Sequence, residues 1–143
     1  LVISRAREMV RHSKKEILGF LDDRTLVVLF SDLKDAYDRG ISTRLILIGE
    51  AEVDFGHVMR HPIEESELQN IARSIVLVSD NNETLIGGTA PSDTCVWTAN
   101  NHVVFIARQF IWQEMFTQKA VELLGKEILS MLTDEERKAI LWE

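Results

Sequence analysis

The stretch Ser74 to Gly88, SIVLVSDNNETLIGG, decides the fold of this 143-residue chain. The apolar, mostly β-branched run that begins it predicts a buried strand, and a second short apolar run closes on Gly87-Gly88. A pair of asparagines between the two runs predicts a tight turn. The stretch is therefore a hairpin, with the acid Asp80 at the end of its first strand and two glycines at the end of its second.

The residues before this hairpin predict a β-α-β unit. A short strand over 15–21 precedes a helix that begins at the aspartate pair 22–23 and ends before Gly40. The run 41–48 is apolar on both faces toward its end, as buried parallel strands are. Apolar residues at helical spacing over 2–14 predict a further helix in front of the unit.

The rest of the chain continues the alternation of helices and strands. The remaining predicted elements are a loop over 49–63, a short helix over 64–72, strands over 94–98 and 102–111 joined by an Asn-Asn turn, and a helix from about Trp112 that breaks near Thr133. The sum is a three-layer α/β domain, with a central mixed β-sheet flanked by helices.

Composition places the chain among ordinary globular proteins and excludes some functions. The formal net charge of −7 repels phosphate backbones, so we do not expect this domain to bind DNA. No run is apolar enough for a membrane span. The single Cys95 cannot form an internal disulfide, and we expect no signal peptide, so the sequence predicts a cytoplasmic protein. Because the chain starts at Leu1 inside a helix, we expect it to be a segment of a longer protein.

Few residues carry recognisable chemistry. The glycine pair lacks the spacing of a phosphate loop, and the histidines at 57 and 61 have no obvious third metal ligand, so we expect no cofactor and no metal. Cys95 in an apolar strand is expected to be a core residue, and His102 a loop residue. Asp80 is ambiguous, because an acid before Asn-Asn is common turn chemistry. Strand ends in α/β sheets are also where ligands bind.

The hairpin resembles the second half of the phospholipase D motif, H-x-K-x(4)-D-x(6)-G-S. With Asp80 as the motif acid, Gly87 falls on the motif glycine and Gly88 on its serine, while Arg73 and Ile75 stand where the histidine and lysine belong. Phosphodiester cleavage by that mechanism needs the histidine nucleophile, so the resemblance implies a degenerate site without that activity. An arginine at position 73 still has a fork that suits an anion.

Nearly the whole chain resembles the region after the winged helix in TrmB-like transcriptional regulators, which are mostly archaeal. The features that carry this resemblance, by order and spacing, are ISRAREMV, KEILGFL, DAYDRG before ISTRLILI, SIVLVSDNNETLIGG, CVWTANNHVVFIARQFIWQEMF and the long terminal helix. It implies a dimerisation or linker helix over 1–14 and a phospholipase-D-like regulatory domain over 15–143. It also implies a homodimer, because that superfamily builds its site from two halves, and DNA binding through a winged helix outside this sequence.

The leading hypothesis is a non-catalytic effector-sensing or dimerisation domain of a DNA-binding regulator, with a small-molecule effector and no membrane partner. The alternatives are a degenerate phosphodiesterase-like enzyme that uses Asp80, Arg73 or His102, and an interaction domain with no ligand. We expect a ligand or interface site at the strand ends, bordered by Arg44 and the loop 49–63. The residues of this strand-end site are Arg73, Ser79, Asp80, Gly87, Gly88, Trp97 and Thr98.

Overall fold

The computed structural model describes residues 1–61, 74–125 and 127–141. The predicted helix over 64–72 and the predicted site residue Arg73 lie outside these residues. The elements are α1 (Val2–His12), β1 (Glu16–Asp22), α2 (Asp23–Asp38), β2 (Ser42–Ile48), β3 (His57–His61), β4 (Ser74–Ser79), β5 (Glu83–Gly88), β6 (Thr94–Thr98), α3 (Asn101–Leu124), α4 (Glu127–Ser130) and α5 (Asp134–Leu141).

One six-stranded sheet, in the order β3-β2-β1-β4-β5-β6, forms the middle of the molecule. The strands β1, β2 and β3 are parallel to one another, whereas β4, β5 and β6 pair antiparallel. The predicted β-α-β unit is confirmed as β1-α2-β2, and the predicted hairpin as β4-β5. The sheet is therefore mixed, as the sequence predicted.

Helices cover both faces of the sheet, so the predicted three-layer arrangement is confirmed. On one face α1 and α2 pack against a core that includes Ile17, Leu45 and Leu77. On the other face α3 packs through Val104, Ala107 and Ile111 against a second cluster of strand residues. The central strands β1 and β4 are buried on both faces, which explains their nearly continuous apolar sequence.

The apolar stripe of α1 is part of the core. Its residues Val2, Ala6, Met9 and Val10 are all buried against α2 and the sheet. The polar side of α1 is tied to α2, because Arg7 and Arg11 both form ion pairs with the buried Asp32, at 3.3 and 2.8 Å. This helix thus belongs structurally to the same compact unit as the sheet.

The loop predicted over 49–63 contains a strand. Residues 57–61 form β3, which pairs parallel with β2 at the edge of the sheet. The sequence His57–His61 is short and mostly polar, and it lies between a glycine and a proline, so its pattern indicated a loop. A neighbouring strand supplied the hydrogen-bonding partners that make it a strand, which no local pattern records.

The strand predicted over 102–111 is wrong, because these residues open the helix α3. The run of valine, phenylalanine and isoleucine suggested a strand by propensity. Its buried positions, Val104, Ala107 and Ile111, are three and four residues apart, which is the spacing of a helix face. The Asn-Asn turn is a helix start, since Asn100 Oδ1 accepts hydrogen bonds from the backbone N–H of His102 and Val103.

The chain breaks near Thr133 as predicted, and the structure has one further short helix, α4, before that break. The side chain of Thr133 accepts a hydrogen bond from Glu136 N, and Glu136 in turn accepts one from Thr133 N, which forms a capping box at the start of α5. The long helix α3 ends earlier, before Gly125, and the short α4 follows. The predicted restart at Thr133 is therefore confirmed.

Candidate functional site

Asp80 holds the connection between α1 and β1. Its carboxylate accepts hydrogen bonds from the backbone N–H groups of Lys14, Lys15 and Glu16, at 2.9, 2.7 and 3.0 Å. Burial raises the pKa of Asp80, but these three donors lower it by more, so its pKa lies below the ordinary value of an aspartate. The carboxylate is therefore already occupied as an acceptor within the fold.

The turn after β4 explains why an acid occurs at position 80. Asp80 and Asn81 have φ angles of 54° and 57°, and Asn82 N donates to Ser79 O at 3.0 Å. Aspartate and asparagine tolerate this left-handed region better than most residues. Ser79 lies buried beside the turn, with its Oγ 2.6 Å from Ser13 Oγ.

The two halves of the predicted strand-end site lie at opposite ends of the hairpin. Because β4 and β5 are antiparallel, Ser79 pairs with Glu83 near the turn, whereas Gly88 pairs with Ser74 at the far end. The structure thus does not bring Asp80 and the glycine pair together. The sequence reasoning treated both as strand ends without accounting for the reversal of direction between them.

Gly87 is required by the close approach of β6. A Cβ at this position would lie 2.6 Å from Cys95 Cα and even nearer to the carbonyl oxygen of Thr94. Only glycine permits this strand spacing without movement of the backbone. Its match to the phospholipase D motif glycine therefore has a structural cause in this chain.

Trp97 and Thr98 lie at the same end of the hairpin as Asp80. Trp97 is 43% exposed, and its Nε1 donates to Glu83 Oε2 at 3.2 Å, while the guanidinium of Arg5 lies 4.9 Å from its ring centroid. Thr98 Oγ1 accepts from Asn100 N and so supports the start of α3. Both side chains thus have contacts within the fold.

A cleft of about 700 Å³ lies beside the edge strand β3. It is formed by α2, by the connection between β2 and β3, and by β3 itself. The residues that line it are Phe30, Glu52, Val53, Asp54, Val58 and Arg60. This cleft falls within the connection that the sequence analysis expected to border the site.

The connection that forms the wall of the cleft is anchored at its start, next to the end of β2. Asp23 accepts hydrogen bonds from Glu50 N and Ala51 N at 3.1 and 3.2 Å, and a Cβ on Gly49 would collide with its carboxylate. Gly49 also has a φ of 126°, which favours glycine. Arg60 Nη2 donates to Ala51 O at 2.6 Å, which ties the connection to β3.

Aromatic side chains of α2 and of the connection between β2 and β3 pack together beside the cleft. Phe55 packs against Phe30 and Tyr37, with ring centroids 5.6 and 5.4 Å apart. The ammonium of Lys34 lies over the rings of Tyr37 and Phe55. The cleft thus combines an aromatic edge with charged groups of both signs.

The lining of the cleft offers two carboxylates, one guanidinium and one aromatic ring. Carboxylates accept hydrogen bonds from hydroxyl or ammonium groups, and a guanidinium donates to oxygens. An aromatic face packs against an apolar or sugar-like surface. The sequence placed Glu52, Asp54 and Arg60 only within the bordering loop 49–63 and gave no sign of Phe30, because the cleft draws on three segments that only the fold brings together. The one available signal was the length of the 49–63 connection.

The last residue of β3, His61, lies close to a carboxyl group of α3. His61 Nε2 lies 3.9 Å from Glu114 Oε2 of α3, and both side chains are largely buried. Burial raises the pKa of Glu114, and the neighbouring His61 opposes this shift only in part. Of the two histidines considered as metal ligands from the sequence, His61 is buried and His57 is exposed.

Within the residues that the structure describes, no group of three or more His, Cys, Asp or Glu side chains is arranged to hold a metal ion. Among the described helices, none combines the length and the apolar character needed to cross a bilayer.

Comparisons with known proteins agree on the family and on the fold. The family described as "Transcriptional regulator TrmB, EBD N-terminal subdomain" matches residues 1–115. The solved structure of TrmBL2, described as an archaeal chromatin protein with a novel mode of DNA binding, has a TM-score of 0.60 and 20% sequence identity, over 81% of this chain and 48% of that one. The chain thus spans about half the length of TrmBL2.

A second solved structure, NucT from Helicobacter pylori, has a TM-score of 0.62 and 10% identity, over 82% of this chain and 88% of that one. The expected phospholipase-D-like fold is confirmed by these likenesses. No curated protein matches the sequence.

Proposed function

Because this chain belongs to the TrmB family of transcriptional regulators, we propose that it is the effector-sensing and dimerisation domain of a DNA-binding regulator. The observation that carries the proposal is the family match over residues 1–115, which covers the sheet and the helices on both of its faces. The regulator reaches DNA through a winged helix outside these 143 residues. The domain itself is acidic and works in the cytoplasm as part of a homodimer.

The absence of catalysis is part of the proposal, and two features of the degenerate motif support it. Arg73 stands where the nucleophilic histidine belongs, and Ile75, at the lysine position, is a buried core residue. The motif acid, Asp80, is engaged by three backbone amides and lies at the far end of the hairpin from Gly88.

The effector site of the proposal is the cleft beside β3. A small polar molecule with hydroxyl or ammonium groups suits the carboxylates of Glu52 and Asp54, with Phe30 as a packing surface and Arg60 as a donor. The strand-end site remains a prediction, because Gly87 and Gly88 lie at the far end of the hairpin from Asp80 and Arg73 lies outside the described residues. The cleft is favoured over it because its groups converge on one space.

The effector site is tested by a thermal-shift screen of sugars, nucleotides, amino acids and amines against the 143-residue chain. A ligand at 100 times its Kd should stabilise the chain by about 2.7 kcal/mol. We expect the double variant Glu52→Gln/Asp54→Asn to lose the shift, and the matched control Asp35→Asn, exposed on α2, to keep it. A shift that survives in the double variant would move the site elsewhere, and a panel without any hit would count against effector sensing.

The likeness in fold to NucT keeps a phosphodiesterase-like enzyme as the alternative function. Incubation of the chain with nucleotide and phospholipid phosphodiesters tests it directly. We expect no turnover. Turnover that the substitution Asp80→Ala abolished, in a variant that still folded, would overturn the non-catalytic proposal.

A further inference from the structure

The outer face of α3 carries a stripe of large apolar side chains that are mostly exposed in the part of the chain that the structure describes. Its members are Phe105, Trp112, Phe116 and Leu123, which are 59%, 57%, 64% and 70% exposed. Their spacings of seven, four and seven residues keep them on one line along the helix, over about 27 Å. This α3 stripe lies away from the core-facing residues Val104, Ala107 and Ile111 of the same helix.

The α3 stripe is symmetric about position 114. Phe105 and Leu123 stand nine residues on either side of this position, and Trp112 and Phe116 stand two residues on either side. Two helices related by a two-fold axis perpendicular to them run antiparallel, so each side chain meets the symmetric position of the other copy. In an antiparallel pair, the apolar positions of the stripe on one copy therefore face apolar positions on the other copy.

We propose that a second copy of this chain covers the α3 stripe, with the two α3 helices antiparallel and the two-fold axis next to position 114. Phe105 of one copy then packs against Leu123 of the other, and Trp112 packs against Phe116. Trp112 and Phe116 are already stacked within one chain, with ring centroids 5.5 Å apart, so four rings meet at the centre. The inference rests on the dimerisation part of the proposed function and names its surface.

The charges beside the stripe fit a second copy. The symmetric partner of Lys119 is Gln109, so the two-fold axis places each ammonium next to an amide and not next to another lysine. The charged neighbours are also paired within the chain, since Lys119 contacts Glu122 at 3.4 Å and Arg108 contacts Glu16. A helix that binds a lipid surface carries several free lysines or arginines beside its apolar face, and this stripe does not.

The apolar area of the α3 stripe is of the order that a dimer interface needs. A standard interface buries about 800 Å² per partner, and a covered aromatic side chain contributes roughly 150–250 Å². The three aromatic side chains, each more than half exposed, together with Leu123 supply on the order of half of that area. Ile106 and Leu124, 66% and 58% exposed, border the stripe on one side and extend it.

The first test is sedimentation of the 143-residue chain over a range of concentrations. We expect a dimer, and we expect Trp112→Glu to weaken it by roughly 30-fold or more, as central aromatic residues of interfaces do. Val27→Glu is the matched control, because Val27 is 74% exposed on α2, away from α3. Unchanged far-ultraviolet circular dichroism and melting of dilute Trp112→Glu would show that the variant folds.

The second test separates an antiparallel pair from other arrangements. In the antiparallel pair, Gln109→Glu places a carboxylate beside Lys119 of the partner copy and should tighten the dimer about 2- to 5-fold, whereas Gln109→Lys should weaken it by a similar factor. Weakening by both substitutions would indicate a parallel pair and overturn the proposal.

The remaining outcomes bear on two statements, that the chain dimerises and that it does so through the α3 stripe. A dimer that Trp112→Glu leaves intact would overturn the α3 surface and keep the dimerisation role. A wild-type chain that stays monomeric at several hundred micromolar would overturn both the α3 surface and the dimerisation role, whereas the effector screen would still test sensing separately.

Discussion

The carboxylate of Asp80 joins two distant parts of the chain, because the three amides that donate to it belong to residues 14–16. Sequence reasoning identified Asp80 as special but left its role open between turn chemistry and ligand binding. The donors lie more than sixty residues away, so no local pattern contains them. For a single residue such as Asp80, the sequence shows which hydrogen bonds its side chain can form but not which distant groups it bonds to.

We predict that Asp80→Asn destabilises the chain by about 1–2 kcal/mol at pH 7, because an amide offers one acceptor oxygen and a donor that faces other donors. Urea unfolding measures the difference, with Asp35→Asn as the control. The folded-state pKa of Asp80 lies below its unfolded value of 3.8, so its stabilisation is present above that pH and is lost as the pH falls through the folded pKa. The two proteins should therefore converge in stability as the pH falls below 3.8 and through the folded-state pKa of Asp80.

The pKa of Glu114 is shifted in the opposite direction from that of Asp80, so its effect on stability changes with pH in the opposite direction. Because burial raises its folded-state pKa above the unfolded value of 4.5, the wild type loses stability as the pH rises through the interval between these values. Glu114→Gln lacks this titration. We expect the stability of the variant relative to the wild type to increase between pH 4 and pH 7 in urea unfolding, and a difference that stays constant with pH would contradict the assignment.

At the scale of elements, propensity and periodicity competed over residues 101–111. The valines and aromatic residues favoured a strand, and the three- and four-residue spacing of the buried positions decided for a helix. Asn100 is the local residue that resolves the conflict, since its side chain caps two amides at the start of α3. Read as an N-cap and not as a hairpin turn, it predicts the helix from the sequence alone.

The cap gives a matched pair of substitutions. Asn100→Ala should cost about 1 kcal/mol of stability, because two backbone N–H groups at the helix start lose their acceptor. Asn101→Ala, one residue later and exposed, should change stability by less than about 0.5 kcal/mol. Thermal or urea unfolding of both variants checks the prediction, and equal effects would show that the cap does not matter.

Strand spacing gives a second prediction at this scale. Gly87→Ala should destabilise the chain by about 1–3 kcal/mol, because the added methyl group forces β6 away from β5. Val96→Ala on β6, where the side chain is 60% exposed, should cost much less. A Gly87→Ala variant as stable as the wild type would show that the two strands can separate freely.

At the scale of the whole molecule, the core ends before the chain does. The last side chain of α3 that is buried in the core is Ile111, and the described side chains of α4 and α5 are exposed or half-exposed. The packing between the sheet and its helices therefore ends near Met115, which is partly buried against the second cluster. The second half of α3 extends its apolar stripe beyond that core.

We predict that a chain ending at Gly125 keeps the unfolding free energy of the full chain within about 0.5 kcal/mol, at concentrations where both are monomeric. It should also still dimerise, because the α3 stripe ends at Leu123. A loss of more than about 1 kcal/mol would show that the C-terminal helices contribute to the core.

Buried strands, caps and turns leave local patterns, and these patterns were enough to predict the β-α-β unit, the hairpin and the fold class. The order and spacing of those elements also predicted the family. Three features became visible only in the folded chain: residues 57–61 form a strand, Asp80 and Gly88 lie at opposite ends of a hairpin, and the cleft collects side chains from three segments. Each of them depends on groups far apart in the chain, which become neighbours only when the sheet forms.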